Sequence, residues 1–123
     1  MTVVGIGMDL VEIGRLERAL ERRPALARRL FTDRELHEAS DRRRPARHLA
    51  ARFAAKEAVL KAVPTDRPIA LREIEVVGST PPEVEFHDDL GEIARAAGWS
   101  TRVSLTHERE MAGAVAVVEV AGP

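Results

Sequence analysis

Two acidic residues and one lysine are the strongest candidates for chemistry in this chain. Asp9 follows a short apolar segment that contains Gly5 and Gly7, and Glu57 and Lys61 lie one helical turn apart in an alanine-rich stretch. Mg²⁺ commonly takes one or two carboxylates together with waters and phosphate oxygens. A neighbouring lysine can stabilise negative charge on a phosphoryl group. These residue types indicate phosphoryl or pyrophosphate chemistry.

The same stretch carries two more basic residues, Arg52 and Lys56, which could hold further phosphates. Of the 19 basic residues only two are lysines, Lys56 and Lys61, and they flank Glu57. In a chain so biased toward arginine, a retained lysine suggests that a compact, rotatable ammonium group is needed.

Each of these candidate residues could also have a purely structural role. Glu57 and Lys61 could form an ordinary pair along a helix, worth a few tenths of a kcal/mol. Arg52 and Lys56 could extend their charged ends into solvent at the helix edge. Asp9 could be the N-cap of a following helix, with Glu12 completing a capping box, and one carboxylate oxygen could cap while the other binds a cation.

The element that must position most of these residues is a predicted helix from about residue 46 to residue 63. Its composition is rich in strong helix formers, and Pro64 ends it. At about 100° per residue, alanines form one smooth face and larger apolar residues form a second stripe. Both broad faces can pack, so the charges among them must be partly buried and need partners or a ligand.

The remaining pattern predicts an α+β fold. We expect a single domain over residues 1–123, with a mostly antiparallel sheet packed against helices and one long central helix. The predicted strands are 2–8, 74–77, 84–86, 102–106 and 111–120, the last buried on both faces. The predicted helices are 10–22, 24–30, 33–39 (capped by Thr32 and Glu35) and 88–97, in addition to the central one.

Composition excludes several classes of function. A chain of 123 residues suits one domain. The absence of cysteine excludes disulfides, thiolate nucleophiles and cysteine-ligated zinc. The longest apolar run, residues 112–118, is too short to span a membrane, and no basic segment followed by an apolar run opens the chain. We therefore expect no membrane association and a cytoplasmic location.

The charge distribution favours an acidic or phosphorylated partner. Residues 1–61 carry 14 basic and 9 acidic residues, a balance of +5, whereas residues 62–123 carry 5 and 11, a balance of −6. Only four residues are aromatic and the formal net charge is −1, which argues against nucleic-acid binding. We therefore interpret Arg42–Arg44 and Arg47 as part of a solvated loop.

Three segments carry a resemblance to a known family. Residues 5–13 read GIGMDLVEI, residues 52–62 read RFAAKEAVLKA, and residues 103–107 read VSLTH. In this order they resemble the N-terminal G-x-D segment, the helix motif and a third, weaker segment of the holo-[acyl-carrier-protein] synthases. These are the small 4′-phosphopantetheinyl transferases, and the length of the chain is also that of the family.

The resemblance implies transfer of phosphopantetheine from coenzyme A to a serine hydroxyl of an acyl carrier protein, with release of adenosine 3′,5′-bisphosphate. It implies that Asp9 and Glu57 bind Mg²⁺ and that Glu57 also helps to deprotonate the serine through a water. Lys61 would stabilise charge at the β-phosphate. Arg52, Lys56 and His107 would lie near the nucleotide or its phosphates.

The resemblance also implies a homotrimer with active sites between subunits. Arg15 and Arg22 correspond to basic positions that meet the acidic helix of the carrier, in agreement with the positive balance of the N-terminal half. Whether that carrier serves fatty acid, polyketide or peptide synthesis is left open by the sequence.

One segment departs from the family pattern. Residues 63–68, VPTDRP, contain no glycine where relatives often have a glycine-rich loop, so no contact of that loop is carried over. An alternative function is a non-catalytic, carrier-binding subunit of the same fold. That hypothesis predicts the loss of a carboxylate or of the lysine, but Asp9, Glu57 and Lys61 are all retained.

Overall fold

A three-stranded sheet with one long helix packed across it forms the centre of the protein. The structure is a computed structural model that describes residues 1–122, and Pro123, the last residue of the predicted domain, lies outside them. The strands are β1 (Thr2–Glu12), β2 (Ile74–Val77), β3 (Glu83–Phe86), β4 (Ser100–Glu108) and β5 (Met111–Val120). The helices are α1 (Ile13–Arg22), α2 (Leu26–Leu30), α3 (Asp33–Ser40), α4 (Pro45–Ala62) and α5 (Asp88–Ala97), and a short 3₁₀ turn covers Leu71–Glu73.

Every strand pair is antiparallel. The larger sheet has the order β1-β5-β4, and β2 and β3 form a separate hairpin. Helix α4 packs on the larger sheet and also contacts α1, α3 and β2. The predicted α+β class and the long central helix are confirmed, although the strands divide into two sheets. Between residues 1 and 122, no helix combines the length and the apolar character needed to cross a membrane.

The first strand is longer, and the first helix shorter, than the sequence predicts. Strand β1 stays paired with β5 from Thr2 opposite Val120 to Glu12 opposite Met111. In this ladder the backbone N–H and C=O groups of residues 10–12 find hydrogen-bond partners on β5, so these residues do not need a helix to satisfy them. Glu12 precedes α1 without a side-chain capping hydrogen bond. The predicted N-cap role of Asp9 is therefore wrong.

Two glycines of β1 bring α4 directly onto the sheet. A Cβ atom added to Gly7 would lie 1.9 Å from the carbonyl oxygen of Ala58, and one added to Gly5 would lie 1.7 Å from that of Ala62. Because side chains alternate along a strand, Asp9 lies on the same face of β1 as these two glycines. The strand thus directs the Asp9 carboxylate toward α4.

The opposite face of the sheet is apolar and exposed. On β1, Ile6 is 69 % exposed, Met8 62 % and Leu10 64 %, and on β5 Val115 is 39 % exposed. The prediction that β5 is buried on both faces is wrong, because only its α4-facing side is covered. We call these four side chains the apolar sheet face.

Candidate active site

Asp9, Glu57 and Lys61 converge where β1 crosses α4. Asp9 and Glu57 line one cavity of about 590 Å³. The Nζ atom of Lys61 donates to Oδ1 of Asp9 at 3.1 Å and to the carbonyl oxygen of Met8 at 3.0 Å. Lys61 therefore crosses from the helix to the strand, where it pairs with Asp9. A simple helix-surface pair with Glu57 does not describe its position.

The two carboxylates repel each other in this cavity. Burial raises the pKa of the Glu57 carboxyl, the negative charge of Asp9 raises it further, and Lys61 partly opposes both effects. A cation bound between two carboxylates that line the same cavity would offset their mutual repulsion and stabilise their charged forms. Their oxygen atoms are of the type that Mg²⁺ prefers, so this donor set fits that ion.

A second cavity, of about 440 Å³, lies beside Arg52 and His107. Arg52 is only 5 % exposed, and its Nη2 atom donates to the carbonyl oxygen of Gly78 at 2.5 Å. Its Nε atom is buried without a hydrogen-bond partner in the described part of the chain. A buried N–H group without an acceptor costs free energy. Arg52 therefore brings a positive charge, and a donor whose hydrogen bond is not satisfied, to the edge of this cavity.

Several residues of this basic cavity were not predicted from the sequence. The others that line it are Arg42, Arg43, Arg44, Arg47, His48, Ala51, Ser79, Leu105 and Thr106. Burial, together with the charges of Arg52 and Arg42, lowers the pKa of His48 to about 4, so His48 is neutral at neutral pH. The Arg42–Arg47 segment was interpreted as a solvated loop. Arg47 lies in the first turn of α4 (Pro45–Ala62), and the position of Arg42–Arg44 directly before that helix was the available signal.

Two arginines of this cavity are held by specific partners. Arg47 donates through Nη2 to Nδ1 of His107 at 2.6 Å, and because a guanidinium group cannot accept, the ring nitrogen is the acceptor. Arg44 pairs with Glu17 at 3.0 Å and with Glu110 at 2.9 Å, which ties the start of α4 to α1 and to the β4–β5 turn.

Lys56 lies elsewhere than the family resemblance implies. Its side chain is completely buried, and its Nζ atom lies 2.6 Å from Oε1 of Glu35 and 5.4 Å from the centre of the Phe31 ring. Burial lowers the pKa of the Lys56 ammonium, and the Glu35 carboxylate opposes that change. A phosphate cannot reach this group without disrupting the core. The structure therefore removes Lys56 from the ligand-contacting residues.

Arg15 and Arg22 lie on helix α1, beside the carboxylate cavity. Arg15 lines that cavity together with Asp9 and Glu57, and Arg22 lies in the last turn of the helix. Both side chains are exposed. Because the two residues are seven positions apart, they share one face of α1.

A further cluster, of two glutamates and a histidine, lies apart from both cavities. Ligand atoms of Glu75, Glu85 and His87 lie within 4.8 Å of one another. Arg34 donates to Glu75 at 3.0 Å and to Glu85 at 2.9 Å, and the Thr32 hydroxyl also donates to Glu75. These donors already neutralise and satisfy the carboxylates, so this cluster is an ion-pair network. It is distinct from the predicted Asp9 and Glu57 site.

Comparison with known proteins places this arrangement in a family. The model of the ACPS family, described as the 4′-phosphopantetheinyl transferase superfamily, matches residues 5–116. The chain belongs to this superfamily. The match includes Asp9, Glu57 and Lys61 as well as Arg52 and His107, so both cavities lie within the 4′-phosphopantetheinyl transferase region.

Individual members of the superfamily match over nearly their full length. The holo-[acyl-carrier-protein] synthase of Deinococcus deserti is 40 % identical over 126 residues, which cover 95 % of this chain and 98 % of that protein. The structure of the acyl carrier protein synthase of Mycobacterium tuberculosis is 39 % identical, with a TM-score of 0.78 and coverage of 97 % and 99 %. These matches confirm the holo-[acyl-carrier-protein] synthase resemblance, the enzyme class and the fold.

One solved relative is described with a ligand. A holo-(acyl-carrier-protein) synthase from Bacillus anthracis, in complex with CoA (3′,5′-ADP), is 29 % identical, with a TM-score of 0.79 and coverage of 98 % of this chain and 100 % of that one.

Proposed function

We propose that this protein transfers 4′-phosphopantetheine from coenzyme A to a serine hydroxyl of an acyl carrier protein in a Mg²⁺-dependent reaction. The observation that carries the proposal is the convergence of Asp9, Glu57 and Lys61, in which Lys61 contacts an aspartate 52 positions away in the chain. The names of its relatives, and the coenzyme A complex of the Bacillus anthracis enzyme, support the choice of substrates.

In the proposed reaction the serine Oγ forms a bond to the phosphorus of the phosphopantetheine group. The bond from that phosphorus to the bridging oxygen breaks, and adenosine 3′,5′-bisphosphate leaves with the electron pair. Asp9 and Glu57 would hold Mg²⁺, which when bound neutralises pyrophosphate oxygens. Glu57 would take the serine proton through a water. Lys61, held at Asp9, would stabilise negative charge on the β-phosphate.

The basic cavity is the proposed site for the nucleotide end of coenzyme A. Arg52 offers a buried Nε donor without a partner, and His107 lines the same cavity. The neutral His48 and the neighbouring Arg47 extend this set of donors. We propose that they contact phosphate or nucleotide atoms, in place of the buried Lys56.

We further propose that the active site is completed by a second copy of the chain, in a homotrimer. Within residues 1–122 the carboxylate cavity and the basic cavity share no lining residue. Coenzyme A must reach both kinds of group, which two neighbouring subunits could provide together. The apolar sheet face is the surface that such an assembly would bury.

Met8→Lys places a charge on this face, so the variant should sediment as a monomer and lose transfer activity. Unchanged assembly of the variant would refute this interface.

The proposed carrier-docking surface is the exposed face of α1 that holds Arg15 and Arg22. Arg15 also borders the carboxylate cavity, so a carrier bound on α1 would present its serine close to Asp9 and Glu57. An acidic carrier helix complements this basic surface.

The experiment that tests the proposed function is mass spectrometry of an apo carrier protein after incubation with coenzyme A, Mg²⁺ and this protein. We expect the carrier to gain one phosphopantetheine group. Asp9→Asn and Glu57→Gln should abolish the gain while circular dichroism shows a folded chain. A wild-type protein that leaves several apo carriers unmodified would refute the proposal, and full activity in either variant would refute the metal assignment.

A further inference from the structure

A completely buried ion pair between Lys56 and Glu35 joins three elements of the fold. The Nζ atom of Lys56, on α4, lies 2.6 Å from Oε1 of Glu35, on α3, and both side chains are fully buried. Oε1 of Glu35 also accepts from the backbone N–H of Thr32 at 2.8 Å, and Oε2 accepts from that of Val76, on β2, at 2.8 Å. One carboxylate therefore connects α4 to the start of α3 and to the second sheet.

The packing of α4 on the sheet relies mostly on small side chains, with Leu49 and Val59 as the two larger apolar residues of its buried surface. Gly5 and Gly7 bring β1 against the carbonyl oxygens of Ala62 and Ala58, which sets the distance between helix and strand. The buried surface of α4 consists largely of alanines, namely Ala50, Ala51, Ala54, Ala55, Ala58 and Ala62. Small side chains interdigitate little, so such a surface resists rotation about the helix axis weakly.

We propose that the Glu35–Lys56 ion pair is a positioning device that sets the rotation of α4, so that Glu57 and Lys61 face Asp9. Lys56 and Glu57 are consecutive, and they leave the helix about 100° apart. Lys56 enters the pocket formed by Glu35 and Phe31, whereas Glu57 lines the carboxylate cavity. Fixing one side chain therefore fixes the direction of the other. This inference rests on the proposed function.

Small rotations matter at this site. Side-chain tips lie about 5–6 Å from a helix axis, so a rotation of about 20° moves them by roughly 2 Å. Catalytic groups must be held to about 0.5 Å of their productive geometry. Buried ion pairs add little net stability compared with apolar packing, and their best-documented role is to specify one arrangement among several.

The experiment compares two double variants, each of which replaces both members of an ion pair by neutral residues. Lys56→Met/Glu35→Gln removes the proposed positioning pair. Arg67→Met/Glu73→Gln is the matched control, because Arg67 and Glu73 pair at 2.9 Å, partly buried, and line neither cavity. Circular dichroism and thermal melting first establish that each variant is folded. Mn²⁺ binding, followed by electron paramagnetic resonance, and the separate kcat and KM for coenzyme A are then measured.

We expect the positioning variant to bind Mn²⁺ roughly 10- to 100-fold more weakly than the wild type, as with other residues that orient metal ligands. Its kcat should fall by about 100-fold if the displacement reaches 1 Å. The control variant should retain the wild-type Mn²⁺ affinity and kcat even where its melting temperature falls. Wild-type Mn²⁺ affinity and kcat in a folded positioning variant would overturn the proposal.

One further variant, and the choice of Mn²⁺ binding as a readout, keep the result interpretable. If the positioning variant does not fold, Glu35→Asp retains both charges and shortens the reach by one methylene, and unchanged Mn²⁺ affinity in that variant overturns the proposal. Mn²⁺ binding needs no carrier or coenzyme A. A wild-type protein that binds Mn²⁺ but transfers nothing would therefore refute the proposed function and leave the positioning test in force.

Discussion

Replacing Gly7 by alanine should displace Asp9 from Glu57 and so impair the active site, although Gly7 itself does not line the cavity. The added Cβ would lie 1.9 Å from the carbonyl oxygen of Ala58 and 2.9 Å from its carbonyl carbon. Cβ atoms essentially never come closer than 3.0 Å to a heavy atom of a residue that is not adjacent in the chain, so the strand and the helix must separate by about 1.1 Å. The atoms that clash are backbone atoms of α4, which cannot rotate away as a side chain could.

The size of the effect follows from this displacement. Ala58 is adjacent to Glu57, and Gly7 is two residues from Asp9, so the separation opens directly between the two carboxylates. A misplacement of about 1 Å can reduce turnover by roughly 100-fold. Forcing an extra methyl group into a packed contact costs about 1–3 kcal/mol. For a chain of this size, each kcal/mol lowers Tm by about 4 °C.

The assay is steady-state transfer to an apo carrier, combined with thermal melting of the same preparations. Gly14→Ala is the matched control, because its Cβ would meet only the ends of side chains, Nη1 of Arg18 at 3.0 Å and Oε1 of Glu110 at 3.9 Å. Gly14 lies within α1, so alanine should stabilise the helix by up to about 1 kcal/mol. If Gly7→Ala keeps full activity and an unchanged Tm, the close contact between β1 and α4 does not position the site.

Three further predictions concern individual side chains. Lys61→Ala should lower kcat more than it raises KM for coenzyme A, because Lys61 is proposed to stabilise charge that develops in the transition state; the opposite split in steady-state kinetics would make it a binding residue only. Arg15→Glu should raise KM for the carrier and leave that for coenzyme A unchanged, whereas an equal effect on both would remove its docking role. Burial and the charge of Asp9 raise the pKa of Glu57 in the folded state. Its neutral form therefore adds stability that is present below the pKa of the unfolded chain and is lost as pH rises through the folded pKa. Glu57→Gln should accordingly melt at a higher temperature than the wild type at neutral pH without metal, with the difference closing in acid; melting curves that differ equally at every pH would contradict this.

Local interactions made part of the fold predictable from sequence. The capping box of α3 was predicted from Thr32 and Glu35, and both of its hydrogen bonds are present. Helix α4 was predicted within one residue at each end, because Pro64 and a run of helix formers act within a few positions. The end of α5 at Gly98, which adopts a left-handed conformation, was predictable for the same reason.

Contacts between distant segments decided what the sequence could not show. Asp9 and Glu12 form a plausible local capping box, but pairing with β5, about a hundred positions away, keeps them in a strand. Helix spacing predicts that the charge of Lys56 is partly buried and needs a partner or a ligand, but only the tertiary structure shows that the partner is Glu35.

By itself, the sequence determined the chemical types at the site: two carboxylates and an ammonium group in segments typical of this superfamily. The tertiary structure decided which charges face a cavity and which are buried as partners of one another. The physical reason is that the cost of burying a charge depends on the groups around it in space, and spacing along the chain does not specify those groups.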